Sequence, residues 1–334
     1  MNKSTIISIA KNFLRAQIYR QNIPIVVSWA ITYQCNARCQ YCENWSYPHE
    51  QELRLQEIMA IMDDLATMGT AVISLTGGEP LLRPDLGEIL DHAARRKIYV
   101  SINTNGLIAQ TRIPVLKKAD RITLSFDGPQ AIHDAIRGRG THDLVLKAVE
   151  SLIREGCVPA FNTVLTRMNT GHVDDILKTA RQYNVKVAFQ PVSLCLLESK
   201  KENPLAPIPE DYQAAIHKII TAKRKGNPHI LNSLAGLDHL ARWPKPTAIA
   251  CSAGKVHFRI EPDGLMTNCS RQFLSKSKQS QNADIRQVGV KKAVTQMRVS
   301  PCCDCWCAST VEMNLAASFN FSGAMNMLKR AGGR

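Results

Sequence analysis

No run of about 18 or more apolar residues occurs in this 334-residue chain, which excludes a membrane-spanning helix. The amino terminus lacks a continuous apolar core followed by a small-residue cleavage site, so no secretory signal is expected, and the expected compartment is a reducing cytoplasm. Internal repeats and low-complexity tracts are absent. Charged residues make up only 21% against 45% hydrophobic, which excludes wholesale disorder and allows a full core. Missing too are an aromatic-interleaved basic motif and any recognisable nucleic-acid module, so nucleic acid is not expected as the partner.

What the chain does have is cysteine and positive charge. Eleven Cys without an export signal point to metal ligation rather than disulfides. Net charge is +14, and residues 271–334 alone hold ten Lys/Arg against three Asp/Glu. Such a surface attracts an acidic electron donor, an anionic substrate, nucleic acid or an anionic membrane, and charge alone does not choose among them. The length fits about two domains.

The stretch Cys35-Asn-Ala-Arg-Cys39-Gln-Tyr41-Cys42 organises the rest. A strand-like run, residues 25–31, leads directly into it, so the three thiols lie on the loop leaving the first strong strand. The spacing alone admits zinc, with His49 as a fourth ligand, or an iron–sulfur cluster in which three thiolates leave one iron open.

CxxxCxxC with an aromatic residue before its third cysteine resembles the signature of radical S-adenosylmethionine (SAM) enzymes. The resemblance implies a [4Fe–4S] cluster on Cys35, Cys39 and Cys42, whose open iron chelates the amino and carboxylate groups of SAM. It implies reductive cleavage of SAM to a 5′-deoxyadenosyl radical that abstracts hydrogen from a substrate C–H bond. A low-potential electron donor such as flavodoxin or ferredoxin is then expected.

Helical periods at 53–68, 84–96, 113–118, 143–154 and 173–183 alternate with strand runs at 71–75, 99–103, 121–126, 159–165 and 185–191. This alternation argues for a parallel sheet with right-handed crossovers. With residues 25–31 it fits the α/β, partial (β/α)6 TIM-like barrel of the family, in which active sites gather at the carboxyl ends of the strands. Residues 4–20 form a basic amphipathic helix with Ser4 as its N-cap, packed across the barrel end or touching a membrane surface. Prolines 204, 207, 209, 244 and 246 punctuate a connector with helices at 210–225 and 231–243. The expected division is an N-terminal helix (1–22), a barrel (23–198), a helical connector (199–250) and a small α+β cysteine-rich extension (251–334).

Thr76-Gly77-Gly78-Glu79-Pro80 follows the second strand. Its glycines let backbone approach closely, and its carboxylate can accept from an ammonium group. The resemblance to the family's GGEP motif implies contact with the SAM amino group through Gly77, Gly78, Glu79 and Pro80. Asn103 and Asn105 follow the third strand, and Ser125 and Asp127 the fourth. By themselves these are turn residues; the resemblance gives them the SAM ribose and methionine carboxylate. His133-Asp134-Ala-Ile-Arg137-Gly138-Arg139-Gly140 resembles the "HD..RG" segment of radical SAM proteins with a SPASM or twitch extension, which implies that Arg137, rather than Arg139, reaches toward the SAM carboxylate. Tyr41 is expected near the adenine or packed beside the cluster. Asn162 and Gln190 are candidates to face the barrel interior. Cys157 reads as buried filler and Cys195 as structural. No protein side chain is assigned a catalytic role.

In the tail, residues 256–260 and 265–268 flank Pro262-Asp263-Gly264, a hairpin signal. A helical stretch, 285–298, then leads to Pro301-Cys302-Cys303-Asp304-Cys305-Trp306-Cys307. Cys251 and Cys269 fit C-x12-G-x4-C, the opening of the SPASM/twitch signature, but the compressed CCxCxC that follows cannot complete two four-cysteine sites. The resemblance therefore implies one auxiliary [4Fe–4S] cluster on Cys251, Cys269, Cys302 and Cys305, the last two chosen for their CxxC spacing. Cys303 and Cys307 are alternatives, and a zinc ribbon is the rival. The expected substrate is a peptide, or an anionic or membrane-associated small molecule. The competing function is a non-catalytic zinc or iron–sulfur protein with a basic nucleic-acid-binding surface.

Overall fold

Alternating apolar runs and helical periods build an open, mostly parallel sheet in a computed structural model that describes residues 3–46, 51–196, 199–245, 247–269, 282–299 and 305–318. After helix α1 (Lys3–Ile18), the chain runs β1 (Val26–Thr32), α2 (Leu55–Met68), β2 (Val72–Gly77), α3 (Leu86–Arg95) and β3 (Tyr99–Thr104). It continues α4 (Ile113–Leu116), β4 (Arg121–Ser125), α5 (Gln130–Arg137), α6 (Thr141–Arg154), β5 (Ala160–Leu165), α7 (Val173–Gln182) and β6 (Lys186–Pro191). These six strands pair in parallel in the order β6-β5-β4-β3-β2-β1. Val27, Trp29, Ile31, Ile73, Leu75 and Ile102 are buried in the core, as strands packed beneath helices require. Each crossover helix covers the sheet with one stripe, for example Val145, Ala148, Val149 and Leu152 of α6.

Beyond β6 come α8 (Pro209–Arg224) and α9 (Leu234–Leu240), tied by the Tyr212 hydroxyl donating to the Leu240 carbonyl at 3.0 Å. The edge of β6 is covered locally. Asn232 accepts from the Phe189 N–H at 2.8 Å and donates to the Phe189 carbonyl at 2.9 Å, satisfying groups that would otherwise invite another strand.

The tail enlarges the same sheet at its opposite side. Strand β7 (His257–Ile260) pairs in parallel with β1, Val26 facing His257 through Trp29 facing Ile260. Strands β8 (Leu265–Thr267) and β9 (Asn282–Asp284) follow antiparallel. The expected turn between β7 and β8 forms, with Gly264 at φ +87° and Asp263 Oδ1 accepting from the Leu265 N–H at 2.9 Å. Helices α10 (Ile285–Val288), α11 (Val290–Gln296) and α12 (Ala308–Ala317) complete the described chain.

Four details differ from the sequence reading. The helix expected over 285–298 breaks at Gly289, where φ is +76°. The helix expected over 231–243 shrinks to α9, because the Ser233 hydroxyl caps it by accepting from the Gly236 N–H. Ser4 lies inside α1 rather than at its cap. Helices α5 and α12 were not read at all: α5 is short and bounded by Pro129 and Gly138, and α12 buries Thr310, Val311, Glu312, Met313 and Asn314, which leaves no amphipathic stripe to see.

Candidate metal centre

Strand β1 delivers the three thiols, and the end of β2 presses against the backbone that carries them. A Cβ on Gly78 would lie 2.1 Å from the Gln34 carbonyl oxygen, and one on Gly77 would lie 2.4 Å from that of Thr32. Gly77 also has φ +123°. Only glycine fits at either position. The approach is hydrogen-bonded, Gly78 N–H to Thr32 O at 2.8 Å and Glu79 N–H to Gln34 O at 2.7 Å. The Gly-Gly pair thus brings backbone close to the cysteine loop itself.

Glu79 is fully buried and knits the neighbouring strand ends together. It accepts from Leu81 N–H at 3.0 Å, the Thr104 hydroxyl at 2.7 Å and Asn105 N–H at 2.7 Å. Burial pushes its carboxyl above the ordinary range, although these bonds oppose the shift. Pro80 is buried in a single 3-10 turn that Glu79 caps. Asn105 donates to Asn36 Oδ1 at 2.8 Å and reaches Cys35 Sγ at 4.0 Å. Asn103 turns back to Ser74 Oγ at 2.9 Å. Ser125 ends β4, its backbone in register with Asn162.

A buried charged network stands on the other side of the loop. Arg137, at the end of α5, donates Nε to Asp127 Oδ2 at 2.7 Å, Nη1 to Cys39 Sγ at 3.7 Å and Nη2 to the Tyr41 hydroxyl. Its guanidinium lies 5.4 Å from the Tyr41 ring centroid. Burial opposes the Arg137 charge, but Asp127, Tyr41 and Cys39 outweigh it and hold the group protonated. Three of the five N–H donors of this side chain are thereby engaged with the loop and its support. Asp127 is held in turn by Val164 N–H at 3.0 Å, and its own N–H donates to His133 Nδ1 at 3.1 Å. Gln40 fixes the loop to α5, its N–H bonding the Ile136 carbonyl at 3.0 Å and its Nε2 the Ala135 carbonyl at 2.6 Å.

Burial raises the thiols of Cys35 and Cys39, and Cys42 is pushed up to about 11. The three sulfurs are close enough to influence one another. Yet among the described residues no three His, Cys, Asp or Glu side chains converge on a single metal ion. Three thiols on one loop, backed by the Arg137 cation, suit an iron–sulfur cluster bound as thiolates. His49 lies outside the described residues.

The tail thiols form a second group. Cys305 is buried, and its sulfur receives the Asn314 Nδ2 donor at 3.5 Å. Asn314 Oδ1 accepts from both the N–H and the hydroxyl of Ser252, at 2.9 and 2.7 Å, next to Cys251. Across the hairpin mouth, a Cβ on Gly254 would lie 3.1 Å from that of Asn268, next to Cys269. One asparagine therefore joins the loop of Cys251 to Cys305, while Cys307 turns to the Ser309 hydroxyl at 3.2 Å. Cys302 and Cys303 lie outside the described residues.

Other expected residues sit elsewhere. Gln190 Oε1 accepts from Ala308 N–H at 3.2 Å, joining β6 to α12. Cys157 is half-buried at the core margin, and Cys195 pairs its backbone with Glu202. Sequence reasoning missed Glu52, Arg83 and Asn169. Glu52 Oε1 accepts from Thr32 Oγ1 and Tyr33 N–H at 2.8 and 2.7 Å, and Arg83 bonds the Ile31 and Leu53 carbonyls. Asn169 bridges the Asp127 and Val164 carbonyls at 3.0 and 2.9 Å. No motif marks these three; only their placement does.

Residues 29–182 match the family model described as the Radical SAM superfamily. A mycofactocin maturase, MftC, of Mycolicibacterium smegmatis is 28% identical over 74% of this chain, which spans 64% of that relative's length. Among solved structures, Streptococcus suis SuiB bound to SAM superposes with a TM-score of 0.66 at 16% identity, covering 84% of this chain and 68% of SuiB. SuiB has also been solved bound to its precursor peptide SuiA. The structure described as anSMEcpe with bound AdoMet gives a TM-score of 0.66 at 20% identity, covering 82% and 81% of the two chains. At these identities the structural likeness shows the fold alone.

Proposed function

We propose that the chain is a member of the radical SAM superfamily, as the match over residues 29–182 supports, and an enzyme that reductively cleaves SAM and abstracts hydrogen from a substrate C–H bond. The observation that carries this reading is the clamped thiol loop, with glycine-only backbone contact on one side and the Arg137–Asp127 pair on the other. Cys35, Cys39 and Cys42 would hold a [4Fe–4S] cluster that, when bound, supplies the electron for SAM cleavage to a 5′-deoxyadenosyl radical. The chain's own part is to hold three sulfurs apart from bulk water, to balance their negative charge with Arg137, and to keep the loop rigid through Glu79, Asn105 and Gln40. Gly77, Gly78, Glu79, Pro80, Asn103, Asn105, Ser125 and Asp127 would face SAM from the carboxyl ends of β2 to β4.

An auxiliary [4Fe–4S] cluster on Cys251, Cys269 and Cys305, completed by Cys302, would assist substrate oxidation or binding. Asn314 supports this set over Cys307, because it draws Cys305 toward the Cys251 loop. The proposed division remains a barrel over 23–198, a connector over 199–250 and a cluster-bearing extension from 251. A peptide is the favoured substrate class, supported by a relative named as a maturase and by the peptide bound to SuiB. The +14 charge favours an acidic flavodoxin or ferredoxin as donor, in a reducing cytoplasm.

The test is anaerobic purification followed by iron and sulfide counting and incubation with dithionite and SAM. About eight irons per chain and formation of 5′-deoxyadenosine support the reading. Bound zinc with no SAM turnover would overturn it.

A further inference from the structure

Helix α1 is apolar on the side that faces away from the protein as well as on the side that faces in. Its inner side is fixed. Ala16 packs with Ile23, Ile25, Ala71 and Val256, Asn12 Nδ2 donates to the Gly69 carbonyl at 2.9 Å, and Lys255 Nζ donates to Gln17 Oε1 at 2.9 Å. Those partners precede β1, β2 and β7, so α1 crosses the amino ends of the strands, at the opposite end from the thiol loop. On the outer side Ile7, Leu14 and Ile18 are 65%, 52% and 70% exposed. Steps of seven and four place them on one face. Lys11 and Arg15, both exposed, are interleaved with them, and Tyr19 stands at the rim. Single exposed apolar residues are ordinary, but three on one face of an anchored helix are not.

A second feature adjoins the end of this helix. A cleft of about 740 Å³ is lined by Arg15, Arg20, Asn22, Lys291, Met297 and Arg298, among others, with no carboxylate among its described lining residues. Asn22 holds it in shape by donating to the Val294 and Met297 carbonyls at 2.9 and 2.8 Å. Two of the three segments that form its walls are acid-free over long stretches, neither residues 1–42 nor residues 285–303 containing an Asp or Glu, whereas Thr67 and Met68 of the third wall end α2, which carries Asp63 and Asp64. Asp64 lies in the adjoining groove beside Lys291 and Lys292.

We propose that α1 and this cleft form a docking surface for an anionic phospholipid membrane. The stripe Ile7–Leu14–Ile18 enters the boundary between headgroups and acyl chains, and the arginine–lysine cleft takes lipid phosphates. An apolar helix face lying in the interface, flanked by cations, is the arrangement that binds such a surface. A second copy fits less well, because a two-fold contact would bring two predominantly basic faces together. Since the surface lies at the far end of the barrel from Cys35, Cys39 and Cys42, it tethers the protein and leaves the thiol loop on the side away from the membrane. The inference is independent of the proposed radical chemistry.

The experiment is co-sedimentation of the full chain with vesicles of phosphatidylcholine, with and without phosphatidylglycerol. Binding to the anionic vesicles and not to the neutral ones is expected. Leu14→Asp combined with Ile18→Asp should weaken binding tenfold or more, and Arg20→Glu with Lys291→Glu by about fivefold per cation removed. All four side chains are exposed, and an unchanged unfolding midpoint verifies that each variant folds. Equal binding to neutral and anionic vesicles, or anionic binding that survives Leu14→Asp with Ile18→Asp, overturns the proposal. So does a dimer that this double variant converts to a monomer, without vesicle binding.

Discussion

Arg137 and Asp127 form a buried ion pair, 2.7 Å from Nε to Oδ2, directly behind the Cys39 thiol. The pair makes the cysteine loop part of the barrel. Removing one partner leaves the other charge buried without compensation. Arg137→Met should therefore destabilise the fold by about 3–5 kcal/mol, read as a lower urea midpoint. Arg137→Lys keeps the charge but loses the planar fork. With its N–H···S bond gone, the loaded cluster should be harder to reduce, and a redox titration followed by electron paramagnetic resonance should show a lower midpoint potential.

Gly78→Ala should fail for a steric reason, because its Cβ would sit 2.1 Å from a backbone oxygen that has no room to move. We expect a loss of about 4 kcal/mol, at the upper end for single substitutions, and loss of bound iron. Gly171→Ala is the control. Nothing lies within 4 Å of that Cβ, so stability should change by about 0.5 kcal/mol or less.

Acid should weaken the fold through His133. Burial, aided by the Arg137 charge, pushes this imidazole from 6.5 down to about 4. Between those values the unfolded chain binds the proton and the folded chain does not. The stabilisation is therefore complete above pH 6.5 and is lost as pH falls toward about 4, amounting to about 3 kcal/mol over the window. Unfolding free energies at pH 7 and pH 5 should differ less in His133→Gln than in the parent. Burial also pushes His257 down to about 4, so some slope should remain.

Asn314→Leu should release Cys305 and strand two buried Ser252 donors, at a cost of about 1–3 kcal/mol. If the tail thiols hold the auxiliary cluster, this variant should lose about half its iron and still form 5′-deoxyadenosine without substrate. Cys251→Ala and Cys269→Ala should behave the same way. Cys35→Ala, Cys39→Ala and Cys42→Ala should abolish SAM cleavage.

Much of the barrel was legible because each of its strands is a local apolar run and each crossover a local helical period. The six barrel strands lie within one or two residues of their expected positions. Helix α5 was not legible, although its residues were singled out, because eight positions between a proline and a glycine carry too little periodicity. Its recognition matters for Arg137, which the helix aims at Cys39, Asp127 and Tyr41. The two glycines of the Gly77-Gly78 pair were legible as points of close approach, but not what they approach, since Gln34 and Thr32 enter only once β1 and β2 pair.

By itself the sequence determined the donor chemistry, thiols where soft metals bind and a carboxylate after a glycine pair, together with the strand–helix alternation. Both are properties of neighbours along the chain. Only the tertiary structure decided which donors meet. Arg137 bonds a sulfur 98 positions away, and β7 takes the open edge of β1. Asn314 joins Cys305 to the Cys251 loop, and α1 keeps an apolar face turned outward. Each depends on packing between segments remote in sequence, where hydrogen-bond satisfaction and burial select the partner and no local period records the choice.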